Sequence, residues 1–208
     1  RHVEQRTAML AGVSHDLRTV LTRFKLQVAL LPEGAETDAM SRDVDEMQAM
    51  LEAYLAFARG DADEAASVTD VRAMLEGLKS ETDRLGFDVT VNFDGDPLVT
   101  VKPTAFKRLI ANLVVNGARY ADRVAVQGRH ASGWLTITVD DDGPGIPPEE
   151  RENVFRPFYR LDQARNQDEG GTGLGLAIAR DIARAHGGDI RLEDSPLSGL
   201  RAVIRVPG

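Results

Sequence analysis

The chain has 208 residues, enough for one large or two small domains, and 42% of them are hydrophobic, which excludes a disordered or collagen-like composition. Its 33 acidic and 25 basic side chains give a net charge of −8, which argues against a general nucleic-acid binder. The absence of cysteine excludes disulfides, thiol catalysis and thiolate metal sites.

Membrane-spanning and secretory segments are not predicted. The longest apolar runs fall far short of the roughly 20 residues that cross a bilayer, and no signal peptide opens the sequence. The chain begins with Arg1 rather than Met, and helical patterning follows almost at once. We therefore expect a soluble fragment whose upstream part is missing.

Two helical segments open the chain. Apolar residues recur at three- and four-residue steps over residues 9–31 and again over 40–55. Pro32 and Gly34 separate the two segments, since both residues disfavour a helix. Because a lone helical pair buries little apolar surface, we expect this hairpin to form a homodimeric four-helix bundle.

A mixed pattern follows a polar segment at 60–65, which we interpret as a linker. Asp70 and Pro103 are suited to helix starts, and a third helix is expected from Gly173. Alternating apolar residues predict a strand at 87–93 that turns back along 98–101. Further strands are expected at 124–127, 134–139, 189–192 and 202–206. The whole pattern predicts an α+β chain whose second part is an α/β sandwich with helices over one sheet face.

Two glycine-rich segments could contact a nucleotide. Glycines at 170–175 precede a predicted helix, whose N-terminal N–H groups suit a phosphate, although a tight turn or a hinge would explain them too. Asp141 lies near a strand end before Gly143 and Gly145. Its carboxylate could accept a hydrogen bond from an exocyclic amine such as that of adenine, while glycines let a flat base approach; a simple turn is the alternative.

The helix from residue 104 carries Asn112 and Asn116 on one face, with Arg119 and Tyr120 one turn further on. Asparagine disfavours a helix interior slightly, so two of them invite a functional reason. An amide oxygen is a suitable ligand for Mg²⁺ beside nucleotide phosphates. A polar, solvated helix face remains the alternative.

His15 lies off the apolar stripe of the first helix, with Asp16 adjacent and Thr19 one turn later. A neutral imidazole nitrogen is a competent nucleophile near pH 7, and Asp16 could orient or deprotonate the ring. The other histidines are interpreted as surface residues: His2, His130 and His186.

Five motifs in order resemble those of the sensor histidine kinases. The segment 13–19 looks like the H box, 112–120 resembles the N box, 141–145 and 171–176 are similar to the two glycine boxes, and 155–158 resembles the F box. The run at 11–19 is most similar to the EnvZ-like members of that family.

The resemblance implies a dimerisation and histidine-phosphotransfer (DHp) domain at 1–59, a linker at 60–65 and a Bergerat-fold (GHKL) ATP-binding domain at 66–208. His15 would accept the phosphoryl group of ATP and pass it to a receiver-domain aspartate. Asp141 would recognise adenine, and Asn116 would bind Mg²⁺. The residues implied for catalysis are His15, Asp16, Arg18 and Thr19. Those implied around ATP are Asn112, Asn116, Arg119, Tyr120, Asp141, Gly143, Gly145, Ile146, Phe155, Phe158, Arg160, Gly171, Thr172, Gly173, Leu174, Gly175 and Leu176.

Thr19 implies a second activity, since the family uses a threonine there to aim water at the phosphorylated regulator. The family commonly has proline next, where this chain has Val20. We expect a straighter helix there and an altered balance between kinase and phosphatase activity. Gly117, where alanine is usual, is expected to weaken its helix slightly.

The resemblance also implies partners and a location. These are a second copy of the chain, an OmpR-like response regulator receiver domain, no nucleic acid, and the cytoplasmic side of a bacterial inner membrane reached through missing upstream segments. Gyrase-like and Hsp90-like ATPases and serine kinases that control sigma factors share such ATP sites but lack a hairpin bearing a residue like His15. A non-catalytic dimeric scaffold that binds ATP is the other alternative.

Overall fold

The computed structural model describes residues 17, 19–32, 34–59, 64–161 and 173–208. These residues divide into two compact units, one formed by residues up to 59 with 160, 161, 173 and 174, the other by 64–159 with 175–208. No helix in the described part is long and apolar enough to cross a membrane.

The first unit contains an antiparallel helical hairpin. Helix α1 covers residues 19–28 and α2 covers Ala35–Arg59. Lys25 on α1 pairs with Asp45 on α2 at 2.6 Å. Val44 is buried, but the described members of the predicted stripes include six side chains that are 42–57% exposed: Leu17, Val20, Phe24, Leu31, Met40 and Met47. The hairpin therefore carries an apolar stripe that it does not cover by itself.

The second unit is an α/β sandwich, as predicted. Its helices are α3 (Val71–Arg84), α4 (Pro103–Tyr120) and α5 (Gly175–Ala185). Its strands are β1 (Ser67–Asp70), β2 (Asp88–Gly95), β3 (Leu98–Val101), β4 (Arg123–Ala131), β5 (Trp134–Asp141), β6 (Asp189–Asp194) and β7 (Leu200–Pro207). Two 3-10 turns, Pro148–Glu150 and Asn153–Phe155, lie between β5 and α5.

The main sheet has the strand order β2-β4-β5-β7-β6, and only the β2–β4 pair is parallel. Alternate residues of β5 such as Ile137 are buried beneath the helices, whereas Thr138 on the other face is half-buried. Gly128 leaves room for the Phe93 ring and Leu75 of α3, since a Cβ at Gly128 would lie 2.3 Å from that ring. The helices therefore cover one face, as predicted.

The predicted pairing of the 98–101 strand is wrong. β3 does not return along β2; it pairs antiparallel with β1 in a separate two-stranded sheet, with Val68 opposite Thr100. β2 pairs in parallel with β4 instead, and the connection between these two strands runs through β3 and α4. Asp70 does cap α3 as predicted, because its Oδ1 accepts a hydrogen bond from the N–H of Ala73 at 2.9 Å.

Candidate functional site

Asp141, the last residue of β5, is a buried carboxylate held by the backbone. Asp141 is only 7% exposed. Its Oδ1 accepts hydrogen bonds from the N–H groups of Gly143 and Leu200, both at 3.0 Å. Burial raises the pKa of Asp141, although the two N–H donors act in the opposite direction. Oδ2 has no hydrogen-bond partner among the described residues, so it can accept one from a ligand.

Three glycines allow the backbone to surround this carboxylate closely. A Cβ at Gly143 would lie 2.7 Å from the carbonyl oxygen of Tyr120, and one at Gly199 would lie 2.3 Å from Asp141 Oδ1. Gly117 of α4 approaches from the other side, where an added Cβ would lie 3.5 Å from the Cβ of Asp141. Gly117 and Gly143 were singled out from the sequence, but Gly199 was not. No local pattern connects Gly199 with Asp141, because β7 joins β5 only through tertiary pairing.

The neighbouring aspartates have structural partners instead. Asp140 is buried and forms an ion pair with Arg201 through two hydrogen bonds of 2.8 and 2.9 Å. The hydroxyl of Ser195 donates a further hydrogen bond to the same carboxylate at 3.0 Å. Asp142 accepts hydrogen bonds from the backbone and side chain of Arg123, which hold the pKa of Asp142 below its usual value. Asp141 alone of the three leaves an oxygen without a described partner.

Helix α4 carries the predicted amide pair. Asn112 and Asn116 are half-buried, and the side-chain nitrogen of Asn112 is a buried donor without a partner among the described residues. A buried donor that lacks a partner costs free energy, so a bound anion such as a phosphate would satisfy it. Arg119 is exposed in the last turn and Tyr120 ends the helix. These donors fit a nucleotide phosphate.

A metal at this site would depend on the nucleotide. Among the described residues, no cluster of three or more histidines, cysteines or acidic residues could hold an ion. An asparagine oxygen supplies one ligand of the hard, oxygen type that Mg²⁺ prefers, and phosphate oxygens and water supply the rest. The amide oxygen of Asn116 therefore fits as one ligand of a Mg²⁺ ion that is also bound by a nucleotide.

The F-box phenylalanines have opposite environments. Phe155 is buried, and the Arg180 guanidinium lies 4.3 Å from its ring centroid. Arg180 also pairs with Glu152 at 2.7 Å and Asp189 at 2.9 Å, joining the 3-10 turn, α5 and β6. Phe158 is 52% exposed and has a φ of 65°, a left-handed conformation that a bulky residue rarely adopts. Arg180 was not predicted from the sequence, since no motif marks it.

The remaining predicted nucleotide residues that the structure describes lie in loops or in the first turn of α5. Gly145 and Gly173 have left-handed φ angles of 70° and 68°, which glycine adopts without strain. The carbonyl of Ile146 accepts a hydrogen bond from Arg151 at 3.1 Å. Gly175 starts α5, and the buried Leu174 and half-buried Leu176 flank it. Arg160 is half-buried.

Several predicted residues lie outside the described part of the chain: His15, Asp16, Arg18, Gly171 and Thr172. Thr19 and Val20 are described, and both are exposed on α1. Their roles stay predictions.

Two of the histidines interpreted as surface residues are half-buried and take part in structural contacts. His186 is half-buried at the end of α5, its Nε2 accepts a hydrogen bond from the N–H of Lys102 at 3.1 Å, and its ring packs edge-on against Phe106. His130 is half-buried, and its Nδ1 lies 2.9 Å from the carbonyl of Asp96. Both contacts join segments that are distant in the sequence.

Comparison with known families gives two matches. Residues 101–208 match the family of histidine kinase-, DNA gyrase B- and HSP90-like ATPases, and residues 5–63 match the His Kinase A (phospho-acceptor) domain. The first match covers the strand and helix that carry Asp141 and the asparagine pair, and the second covers His15.

Three similar proteins cover between 69% and 100% of this chain. The sensor histidine kinase CpxA of Escherichia coli strain K12 is 37% identical over 219 aligned residues, which cover 100% of this chain and 48% of CpxA. The chain thus spans about half the length of this relative. Full-length ShkA in complex with AMPPNP has the same fold, with a TM-score of 0.73 at 21% identity over 96% of this chain and 45% of ShkA. The ATP binding domain of PrrB from Mycobacterium tuberculosis has a TM-score of 0.56 to this chain at 28% identity, and the match covers 69% of this chain and 97% of that domain.

Proposed function

Because the chain belongs to the sensor histidine kinases, we propose that it transfers the γ-phosphoryl group of ATP to His15 and then to an aspartate of a response regulator. The observation that best supports the use of ATP is the hydrogen-bonding geometry of Asp141. One carboxylate oxygen is fixed by two backbone N–H groups, and the other is left to accept a hydrogen bond from the exocyclic amine of adenine.

The phosphates are assigned to α4. The buried Nδ2 of Asn112 would donate to a phosphate oxygen, and the exposed Arg119 guanidinium would offset negative charge. Mg²⁺, held by Asn116 and phosphate oxygens, would neutralise charge that develops on the transferred group. Positioning and charge neutralisation are the main demands of phosphoryl transfer, and these residues meet them.

The transfer itself is assigned to His15 and Asp16. One ring nitrogen of neutral His15 attacks the γ-phosphorus, the bond to the ADP oxygen breaks, and ADP leaves with its electron pair. Asp16 orients the ring and takes up the proton that the attacking imidazole releases. In the second step the phosphoryl group passes from that nitrogen to a regulator aspartate. Water aimed by Thr19 would hydrolyse the same phosphoaspartate.

The hairpin is the proposed surface for partners. Its exposed apolar stripe supports dimerisation with a second copy, since contiguous apolar surface of this kind is normally covered. The receiver domain of an OmpR-like regulator would bind near His15. The cytoplasmic side of a bacterial inner membrane is the proposed location.

Labelling tests the proposal. We expect γ-labelled ATP with Mg²⁺ to give label that is acid-labile and alkali-stable, as a phosphohistidine is, and His15→Gln to remove it. The control is ATP affinity, which should be the same in both proteins because His15 is not part of the nucleotide site. ATP binding without label in the unsubstituted chain would contradict a kinase and favour a non-catalytic scaffold.

A further inference from the structure

Glu64 caps helix α4 from outside that helix. Its Oε1 accepts a hydrogen bond from the N–H of Thr104 at 2.7 Å, and its Oε2 accepts one from Ala105 at 3.0 Å. The first N–H groups of a helix have no partner within it, and Lys102, the residue before α4, provides no side-chain cap. Glu64 supplies that cap although it lies 40 residues from Thr104 in the chain.

The charge of Glu64 suits this position. Burial acts to raise the pKa of Glu64, but the hydrogen bonds from Thr104 and Ala105 outweigh it, so the pKa lies below its usual value. The side chain is therefore ionised at neutral pH, and an anion at a helix N-terminus is favoured by the helix dipole.

The start of α4 is fixed from a second side. The Nε2 of His186 accepts a hydrogen bond from the N–H of Lys102, and the His186 ring contacts Phe106 in the first turns of the helix. Phe106 itself is fully buried. Glu64 is thus attached to a well-anchored end of α4, the same helix that carries Asn112 and Asn116.

The position of Glu64 in the chain gives this attachment a role. The sequence predicts a linker at 60–65, and Glu64 is near its end, three residues before β1. We infer that Glu64 is a positioning residue for phosphoryl transfer, which fixes the point where the connection to the His15-bearing hairpin leaves the ATP-binding unit. The inference rests on the proposed function.

Releasing Glu64 would lengthen that connection. The free part of the connection would then extend through residue 66, because β1 begins only at Ser67. The effective concentration of two tethered groups falls roughly as the −3/2 power of tether length once the tether spans the distance. His15 would then meet the nucleotide less often, although the nucleotide site itself is unchanged.

The test compares Glu64→Ala and Glu64→Gln with Asp70→Ala. Asp70 is a matched control, since it also caps a helix with a carboxylate but on α3, which carries none of the proposed nucleotide residues. Two quantities are measured in each protein: ATP affinity, and the rate of His15 labelling at saturating Mg²⁺ and ATP. Amide hydrogen exchange at Thr104 and Ala105 reports whether the cap has been released.

We expect Glu64→Ala to lower the labelling rate about twofold with ATP affinity unchanged, because only the tether changes. Glu64→Gln should give a smaller loss, since its single amide oxygen can accept one N–H but carries no charge. Asp70→Ala should label at the unsubstituted rate. Equal labelling by Glu64→Ala and Asp70→Ala would overturn the inference, and so would a parallel loss of ATP affinity, which would make Glu64 only a support for the nucleotide site. Failure of the proposed function differs, since the unsubstituted chain would then not label.

Discussion

At the scale of single residues, the division of labour among Asp140, Asp141 and Asp142 shows how context determines chemistry. Three adjacent carboxylates have similar intrinsic properties, yet Arg201 and Ser195 occupy the first, and Arg123 occupies the third. The middle one is held by N–H groups through a single oxygen. Its second oxygen is therefore a fixed acceptor, which is what selective recognition of an amine requires.

Replacing Asp141 with asparagine should reverse its base preference. The N–H groups of Gly143 and Leu200 will hold the amide oxygen where Oδ1 lies, so the amide nitrogen takes the place of Oδ2 and donates instead of accepting. We expect ATP affinity to fall about 10- to 100-fold, while the nucleotide of a 6-oxopurine, ITP, binds relatively better. Calorimetric titration with both nucleotides measures this.

Asp142→Asn is the control for that substitution. It removes the same charge one residue away, where Arg123 rather than a ligand contacts the carboxylate. ATP should remain preferred over ITP in this variant. An unchanged preference in Asp141→Asn would show that Asp141 does not contact the base.

At the scale of elements, helix α3 and the residue after its C-cap allow a measurement of how much glycine changes the free energy of unfolding. A methyl group at Gly77 would meet nothing within 4 Å, and the same is true of Gly86 just after the helix. The two differ in backbone conformation, since Gly86 has a φ of 84°. Gly77→Ala should raise the free energy of unfolding by about 1 kcal/mol. Gly86→Ala should lower it by about 1 kcal/mol, because alanine is strained there. Urea unfolding of both variants tests the pair, and a shift of the same sign in both would contradict it.

The exposed position of Val20 on α1 makes a second test possible. Val20→Pro removes one N–H from the helix and crowds the preceding turn, so the helix should bend beside Thr19. We expect regulator dephosphorylation to rise relative to His15 labelling, measured with the same purified protein. Val20→Ala, which shortens the side chain without bending the helix, should leave the ratio near that of the unsubstituted chain. Equal ratios in all three proteins would refute a role for the bend.

The elements also show which parts of the fold were predictable. Pro103 predicts the start of α4, and the observed helix begins there and ends at Tyr120, because a proline at a helix start is a local signal. The short strand β1 was missed, and β3 was assigned the wrong partner, since pairing between β1 and β3 depends on residues some 30 positions apart. The same limit explains why Asp141 could be selected from its own glycine motif but Gly199, Arg180 and Glu64 could not.

At the scale of the whole molecule, carboxylates dominate the response to acid. Among the described residues, five carboxyl groups have a pKa that hydrogen bonds or ion pairs lower in the folded protein: Glu64, Asp142, Glu150, Glu152 and Asp189. Asp141 opposes them, since burial raises its pKa. Below pH about 4.5, where unfolded carboxyls take up protons first, the unfolded state binds more protons than the folded one.

Stability should therefore be constant near neutrality and fall as the pH drops from about 4.5 through the lowered pKa values of the folded carboxyls. Urea unfolding followed by the fluorescence of Trp134, the single tryptophan, measures this. In Glu152→Gln, which loses its ion pair with Arg180, the fall should be shallower. Stability that is flat or rising between pH 5 and pH 3 would contradict this prediction.

The placement of β7 has a consequence for how the protein is made. Although β7 comes last among the described strands, it lies inside the sheet between β5 and β6, and its Leu200 supplies one of the two N–H groups that hold Asp141. A nascent chain that has emerged only as far as α5 possesses every predicted nucleotide residue and still lacks the strand that fixes the base-recognising carboxylate. We therefore expect the nascent chain to bind nucleotide only after residues 200–207 have left the ribosome.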